Sequence, residues 1–120
     1  MPKPRYKIMV VDDDETLLAS LSSILRREGY EVVPETRVDP ALARLGSEDF
    51  DILVVDLALG NRSGEELLYF LGVSLRKPPR KVIFITGHPQ KLESNEFRNE
   101  FTVLAKPFTH EDLLAEIRSA

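Results

Sequence analysis

The chain has 120 residues, no cysteine and a formal net charge of −4. Its length suits a single domain, and the absence of cysteine excludes a disulfide framework or a thiolate metal site. The negative charge disfavours general attraction to nucleic acid or to an anionic membrane. The apolar runs are too short to span a bilayer, and "MPKPRYK" lacks the apolar core of a signal peptide. We therefore expect one cytoplasmic domain over residues 1–120, with its core at about 7–119.

The first part of the chain alternates short apolar runs with a helical pattern. The apolar run from Ile8 to Val11 predicts a strand over residues 7–11, and apolar residues then recur at helical spacing from Leu17 to Leu25. Gly29 is a typical stop for this helix. "YEVVPE" predicts a second strand, and Pro34 within it indicates the edge of a sheet.

The rest of the chain repeats this alternation. "DPALARL" predicts a second helix with Asp39 as its N-cap and Pro40 as its first residue, and the apolar "DILVVD" predicts a central strand. The remaining predicted elements are a third helix in "SGEELLYFL", a fourth strand in "RKVIFIT", a short helix in "PQKLESNEFRNEF", a fifth strand in "FTVLAK" and a last helix in "THEDLLAEIRSA", capped by Thr109. This order predicts an α/β fold, with helices on both faces of a five-stranded parallel sheet.

Polar side chains with a common chemistry follow four of the predicted strands. Asp12 and Asp13 follow the first strand, Asp56 the third, Thr86 the fourth and Lys106 the fifth. Ligands of parallel α/β sheets bind beyond these carboxyl ends, so the five side chains are expected to meet there. Their oxygens suit Mg²⁺, and a carboxylate can attack phosphorus to form an acyl phosphate. Asp56, at the end of the central strand, is the natural nucleophile.

Four separated motifs resemble the receiver domain of two-component response regulators: "IMVVDDDE", "DILVVDLALGNRSG", "VIFITG" and "LAKPF". The resemblance implies a flavodoxin-like (βα)5 fold with strand order 2-1-3-4-5. It also implies that Asp56 is the phosphoacceptor and that Thr86 and Lys106 contact the phosphoryl group, with a cis peptide bond before Pro107. The implied ligands of Mg²⁺ are the carboxylates of Asp12, Asp13 and Asp56 and the main-chain carbonyl of Ala58.

The resemblance also implies partners. A histidine kinase or a histidine phosphotransfer protein would donate the phosphoryl group after docking on the first helix and the "KPF" loop. The face formed by the family's fourth helix, fifth strand and fifth helix would bind a second copy or an output domain. The domain would not bind nucleic acid or a membrane directly. It would not be a turnover enzyme, although it would assist its own phosphorylation and dephosphorylation.

The chain departs from the family pattern at two positions. Gly60 stands where the family usually has proline, four residues after the phosphoacceptor. Val103 stands where an aromatic residue often changes rotamer on phosphorylation, so an aromatic version of the switch is not expected here. Gly87, beside Thr86, is small and should leave the phosphoryl site open.

Other interpretations of the same residues remain open at this point. Asp14 and Glu15 precede a helix and are better explained as N-terminal cap and dipole partners than as ligands. "VVDDDETL" also fits a haloacid-dehalogenase-like phosphatase, with Asp12 as nucleophile and Asp14 as general acid, although this would leave Asp56 without a role. A third possibility is a pseudo-receiver that acts as an interaction module without phosphorylation.

Overall fold

The computed structural model describes residues 5–56, 58–59, 62–63, 79–87 and 102–120. Five strands in these ranges form one sheet: β1 (Lys7–Val11), β2 (Glu31–Glu35), β3 (Ile52–Asp56), β4 (Lys81–Thr86) and β5 (Thr102–Ala105). The strands pair in parallel in the order β2-β1-β3-β4-β5, which confirms the predicted order 2-1-3-4-5. Every residue of β3 is buried, as expected for the central strand.

Apolar side chains on the two faces of the sheet form two separate cores. The described helices are α1 (Glu15–Arg27), α2 (Val38–Ser47) and α3 (His110–Arg118). One core contains alternate strand residues such as Met9 together with Leu45 of α2, and the other contains Ile8 together with Leu21 of α1 and Ile117 of α3. The sheet is therefore covered on both faces, and its polar chemistry is confined to the strand ends.

Most of the predicted helix ends are confirmed. The Asp14 carboxylate accepts hydrogen bonds from the main-chain N–H groups of Thr16 and Leu17, and it caps α1. Gly29 follows this helix with φ of 99°, a conformation that favours glycine. Thr109 and Asp112 form a reciprocal capping box at the start of α3.

The predicted start of the second helix was wrong. The helix begins at Val38, its N-cap is Arg37 without a side-chain cap, and Asp39 lies in the first turn. Val38 is only 4% exposed because it packs into the core, and this burial extends the helix toward its N-terminus. Pro40 is tolerated in the first turn because its missing N–H group would have no partner within the helix.

Two predicted helices fall on residues outside the described ranges. The "SGEELLYFL" helix lies there except for Ser63, which the structure places in a short antiparallel ladder between Ala58–Leu59 and Arg62–Ser63. The "PQKLESNEFRNEF" helix, at residues 89–101, lies wholly outside them. Among the helices that are described, none has the length and apolar character to cross a membrane.

Candidate functional site

The carboxyl edge of the sheet brings together side chains from four strands. Asp12 follows β1, Asp56 ends β3, Thr86 ends β4 and Lys106 follows β5. Asp12, Asp56 and Thr86 are all buried, with exposed fractions of 1%, 3% and 7%. Buried polar groups need partners or ligands, so three of them at one sheet edge mark a candidate site.

Lys106 and Asp56 form the central contact of the site. The Lys106 ammonium donates a hydrogen bond to Asp56 Oδ2, with Nζ and Oδ2 2.5 Å apart. The main-chain N–H of Lys106 donates to the carbonyl of Thr86 at 2.8 Å, which joins the ends of β4 and β5. The peptide bond from Lys106 to Pro107 is cis, as predicted. The main-chain hydrogen bond to Thr86 thus positions Lys106 so that its ammonium contacts the Asp56 carboxylate.

The charge on Lys106 is favoured by its surroundings. Burial disfavours the ammonium, but the hydrogen bond and negative charge of Asp56 oppose this effect, with further attraction from Asp12 and Asp13. The net result is a pKa of Lys106 above its usual value. The residue therefore supplies a permanent positive charge at neutral pH.

The surroundings of Asp12 disfavour its charged form, in contrast to those of Lys106. Its Oδ1 accepts a hydrogen bond from the main-chain N–H of Asp14 at 2.9 Å, whereas its Oδ2 is buried without a hydrogen-bond partner among the described residues. Burial raises the pKa of Asp12 from 3.8 to about 6, and repulsion by Asp56 and Asp13 adds to this effect. The Asp14 hydrogen bond and the Lys106 charge oppose it only in part. At neutral pH, Asp12 is thus a buried carboxylate whose negative charge the nearby Lys106 offsets only in part.

The donor set suits a hard divalent cation. Asp12 offers a buried oxygen without a hydrogen-bond partner among the described residues, Asp56 is close enough to repel it, and Asp13 is exposed. Within the described ranges, no three carboxylate, histidine or cysteine side chains are arranged as a ready-made metal cage. Mg²⁺ does not need one, because it usually keeps several waters and binds through one or two carboxylates. The main chain of Ala58, a further predicted ligand, lies in the ladder two residues after Asp56.

Val103 and Gly87 are two residues near Thr86 that the sequence singled out. Val103 is partly buried on β5, paired with Phe84 of β4, and it packs against the core in place of an aromatic residue. Gly87 is exposed, and a Cβ built there would meet no atom of the described residues within 4 Å. Open access to the phosphoryl site beside Thr86 stays a prediction.

The capping role of Asp14 counts against the phosphatase alternative. A general acid must be free to reach the substrate, whereas the Asp14 carboxylate is occupied by two main-chain N–H groups of α1. Glu15 lies in the first turn of the same helix, where its charge is favourable. Both residues therefore have the structural roles that the sequence indicated.

A pocket beside the site was only partly anticipated. It has a volume of about 500 Å³ and is lined by Leu17, Leu21, Lys106, Pro107, Phe108 and His110. The "KPF" loop and the first helix were predicted to form a surface together, and the structure adds His110 to it. The spacing of Leu17 and Leu21, four residues apart on one helix face, was the available signal.

Comparison with known proteins identifies the class to which this fold and site belong. The family model described as "Response regulator receiver domain" matches residues 8–118. The chain belongs to the family of response regulator receiver domains, the signalling domains of two-component systems.

Individual relatives are consistent with this assignment. The uncharacterized transcriptional regulatory protein YrkP of Bacillus subtilis is 30% identical over 114 residues, which cover 93% of this chain and 48% of that protein. A Burkholderia pseudomallei response regulator, solved with a phosphorylated aspartic acid, calcium ion and citrate, is 28% identical with a TM-score of 0.73, over 95% of this chain and 71% of that one. The beryllofluoride-activated NtrC4 receiver domain dimer is 28% identical with a TM-score of 0.80, over 94% and 93% of the two chains. The chain spans about half the length of the curated relatives that it matches.

Proposed function

We propose that this receiver domain accepts a phosphoryl group on Asp56 from a phosphohistidine of a partner histidine kinase or histidine phosphotransfer protein. The bond between phosphorus and the histidine nitrogen breaks as one forms between phosphorus and an Asp56 carboxylate oxygen. The observation that carries the proposal is the buried Asp56 carboxylate, which accepts a hydrogen bond from Lys106 and lies near Asp12, whose Oδ2 has no hydrogen-bond partner among the described residues. The whole chain, residues 1–120, acts as this one cytoplasmic domain and is not a turnover enzyme.

Asp12, Asp13, Asp56 and the Ala58 carbonyl are the proposed ligands of Mg²⁺. When bound, the metal would offset the negative charge that gathers between the carboxylates and the phosphoryl oxygens. The unpartnered oxygen of Asp12 supports this assignment, because a cation would satisfy it. The calcium ion and phosphorylated aspartic acid of the Burkholderia pseudomallei regulator support a divalent cation in the same chemistry.

Lys106 and Thr86 are the proposed contacts of the phosphoryl group. The Lys106 ammonium reaches Asp56 Oδ2 and offers positive charge to a phosphoryl oxygen attached there. Thr86 is buried at the end of β4, and its carbonyl is bonded to the Lys106 main chain. A change at the phosphoryl group would therefore reach the ends of β4 and β5 together.

The output of the switch is proposed to be a partner surface on the family's fourth helix, fifth strand and fifth helix. Phosphorylation would shift a two-state equilibrium that favours binding of a second copy or of an output domain. The dimer formed by the activated NtrC4 receiver domain supports the first of these. Val103 indicates that the shift proceeds without an aromatic rotamer change at that position.

Intact-mass measurement after incubation with acetyl phosphate tests the site. Wild type should gain one phosphoryl group in the presence of Mg²⁺ and none with a chelator, and Asp56→Asn should gain none. Asp12→Asn should be labelled far more slowly at equal Mg²⁺, because a metal ligand is lost. Leu53→Val, a conservative change within β3, serves as a control for damage to the strand and should be labelled normally.

Two outcomes would contradict the proposal. Label that survives Asp56→Asn but vanishes in Asp12→Asn would point to the phosphatase chemistry instead. Label in no protein, with the fold intact by circular dichroism and with a partner phosphohistidine also ineffective, would favour the pseudo-receiver.

A further inference from the structure

Lys81 forms a concentrated set of contacts at the end of the sheet opposite to the site. Its ammonium lies 2.6 Å from the main-chain carbonyl oxygen of Glu116, 2.7 Å from Ser119 Oγ and 3.2 Å from Glu116 Oε2. The side chain is only 15% exposed, although Lys81 is the first residue of β4. An ammonium has three N–H groups, and here three acceptors surround it.

All three acceptors belong to the C-terminal end of α3. The last carbonyl groups of a helix have no partner within the helix, and a lysine placed there satisfies them and offsets the negative end of the helix dipole. Ser119 Oγ also donates a hydrogen bond to the Glu116 carbonyl at 2.9 Å, so the acceptors are tied to one another. Lys81 therefore fastens the last turn of α3 to the base of β4.

The opposite ends of the same two elements are also joined. β4 ends at Thr86, whose carbonyl accepts the main-chain N–H of Lys106, and α3 begins shortly after Lys106. Between these two ends, Ile83 of β4 and Ile117 of α3 are completely buried in one core. We call β4 and α3, joined at both ends, the β4–α3 frame.

We propose that Lys81 makes the β4–α3 frame move as one unit, so that a change at Thr86 and Lys106 reaches the C-terminal end of α3. Without the ammonium, the last turn of α3 would fray, since the Glu116 carbonyl would keep only the Ser119 hydroxyl as a donor and the Glu116 carboxylate would lose its positive partner. The coupling part of this inference rests on the proposed function, because it needs an activated state. The inference that Lys81 fastens the last turn of α3 to β4 does not rest on the proposed function.

Lys81→Met removes the ammonium and keeps the apolar stem. Amide hydrogen exchange by NMR should accelerate about tenfold at residues 116–120, as expected for the loss of charged hydrogen bonds, and should not change in α1. Lys7→Met is the matched control. Lys7 begins β1 at the same end of the sheet and donates to Glu48 at the end of α2, so its loss should leave residues 116–120 unchanged. Unchanged exchange in Lys81→Met, or equal acceleration in Lys7→Met, would overturn the fastening.

The coupling is tested by adding beryllofluoride and Mg²⁺ to the same three proteins. In wild type and Lys7→Met, amide shifts should change at Thr86, Lys106 and residues 118–120. In Lys81→Met, the changes at Thr86 and Lys106 should persist while those at residues 118–120 are lost. Persistence of all the changes in Lys81→Met would overturn the coupling. If Thr86 does not respond in wild type, both the proposed function and the coupling fail, and the exchange result still decides whether Lys81 fastens the helix.

Discussion

Asp12 is the residue whose ionisation works against the fold. Because its pKa is about 6 in the folded protein against 3.8 ordinarily, the native state binds more protons than the unfolded chain between these pH values. The free energy of unfolding therefore falls as pH rises from about 4 through 6, and it stays low above that range. About two pKa units correspond to a loss of ~3 kcal/mol.

Asp12→Asn should stabilise the metal-free protein at pH 7.5. The amide keeps an oxygen for the Asp14 N–H and removes the buried charge, so we expect a gain of about 1–3 kcal/mol in the free energy of unfolding, measured by urea denaturation with a chelator present. The gain should shrink at pH 4.5. Asp13→Asn, at an exposed position, should change stability by less than about 0.5 kcal/mol. A less stable Asp12→Asn at pH 7.5 would contradict the buried-charge interpretation.

The clustering of the candidate site residues could be predicted from the sequence, but their energetics could not. The strand ends pointed to Asp12, Asp56, Thr86 and Lys106 because parallel strands finish at one edge, and the structure brings them together. The unpartnered oxygen of Asp12 depends on packing by residues distant in sequence, and no local pattern reports it. The contacts of Lys81 were missed for the same reason, since 35 residues separate it from Glu116.

At the scale of elements, helix ends were predictable where a side chain marks them. Asp14, Gly29 and Thr109 each have a local conformation or hydrogen bond that their residue type favours. The start of α2 was not predictable in this way, because burial of Val38 outweighed the cap signal at Asp39. The ladder after β3 was also unforeseen, since its two-residue strands are too short to give a periodic pattern.

Two glycines provide a matched test of the elements. Gly29→Ala should destabilise the fold by about 1 kcal/mol, because φ of 99° is strained for a residue with a Cβ even though no described atom lies within 4 Å of the added Cβ. Gly46→Ala, inside α2 and likewise clear of the described atoms, should instead stabilise it by about 0.5–1 kcal/mol. Urea denaturation of both variants measures the difference. Equal effects of the two substitutions would refute the assigned backbone conformation of Gly29.

At the scale of the whole molecule, stability should depend on divalent cations. Mg²⁺ that binds only the native state raises the free energy of unfolding, by about 1.4 kcal/mol at ten times its dissociation constant. The increase should be larger at pH 7.5 than at pH 5, because Asp12 must lose its proton to bind the metal. Thermal denaturation with MgCl₂, against NaCl at equal ionic strength, measures it.

The variants Asp12→Asn and Asp56→Asn separate specific binding from general screening. Both should lose most of the stabilisation by Mg²⁺, whereas Asp51→Asn, whose carboxylate bonds to the main chain of Lys7 at the other end of the sheet, should retain it. Retention in all three variants would show that the cation acts elsewhere on the protein.

The complete burial of β3 affects which substitutions can change the proposed response to phosphorylation. Every residue of β3 is buried, so a phosphoryl group on Asp56, as proposed above, would be accommodated by neighbouring elements rather than by movement of β3. On that proposal, the acceptor chemistry and the amplitude of the response depend on different residues. Substitutions in β4, β5 and the helix that follows would then change the response while Asp56 is left unchanged.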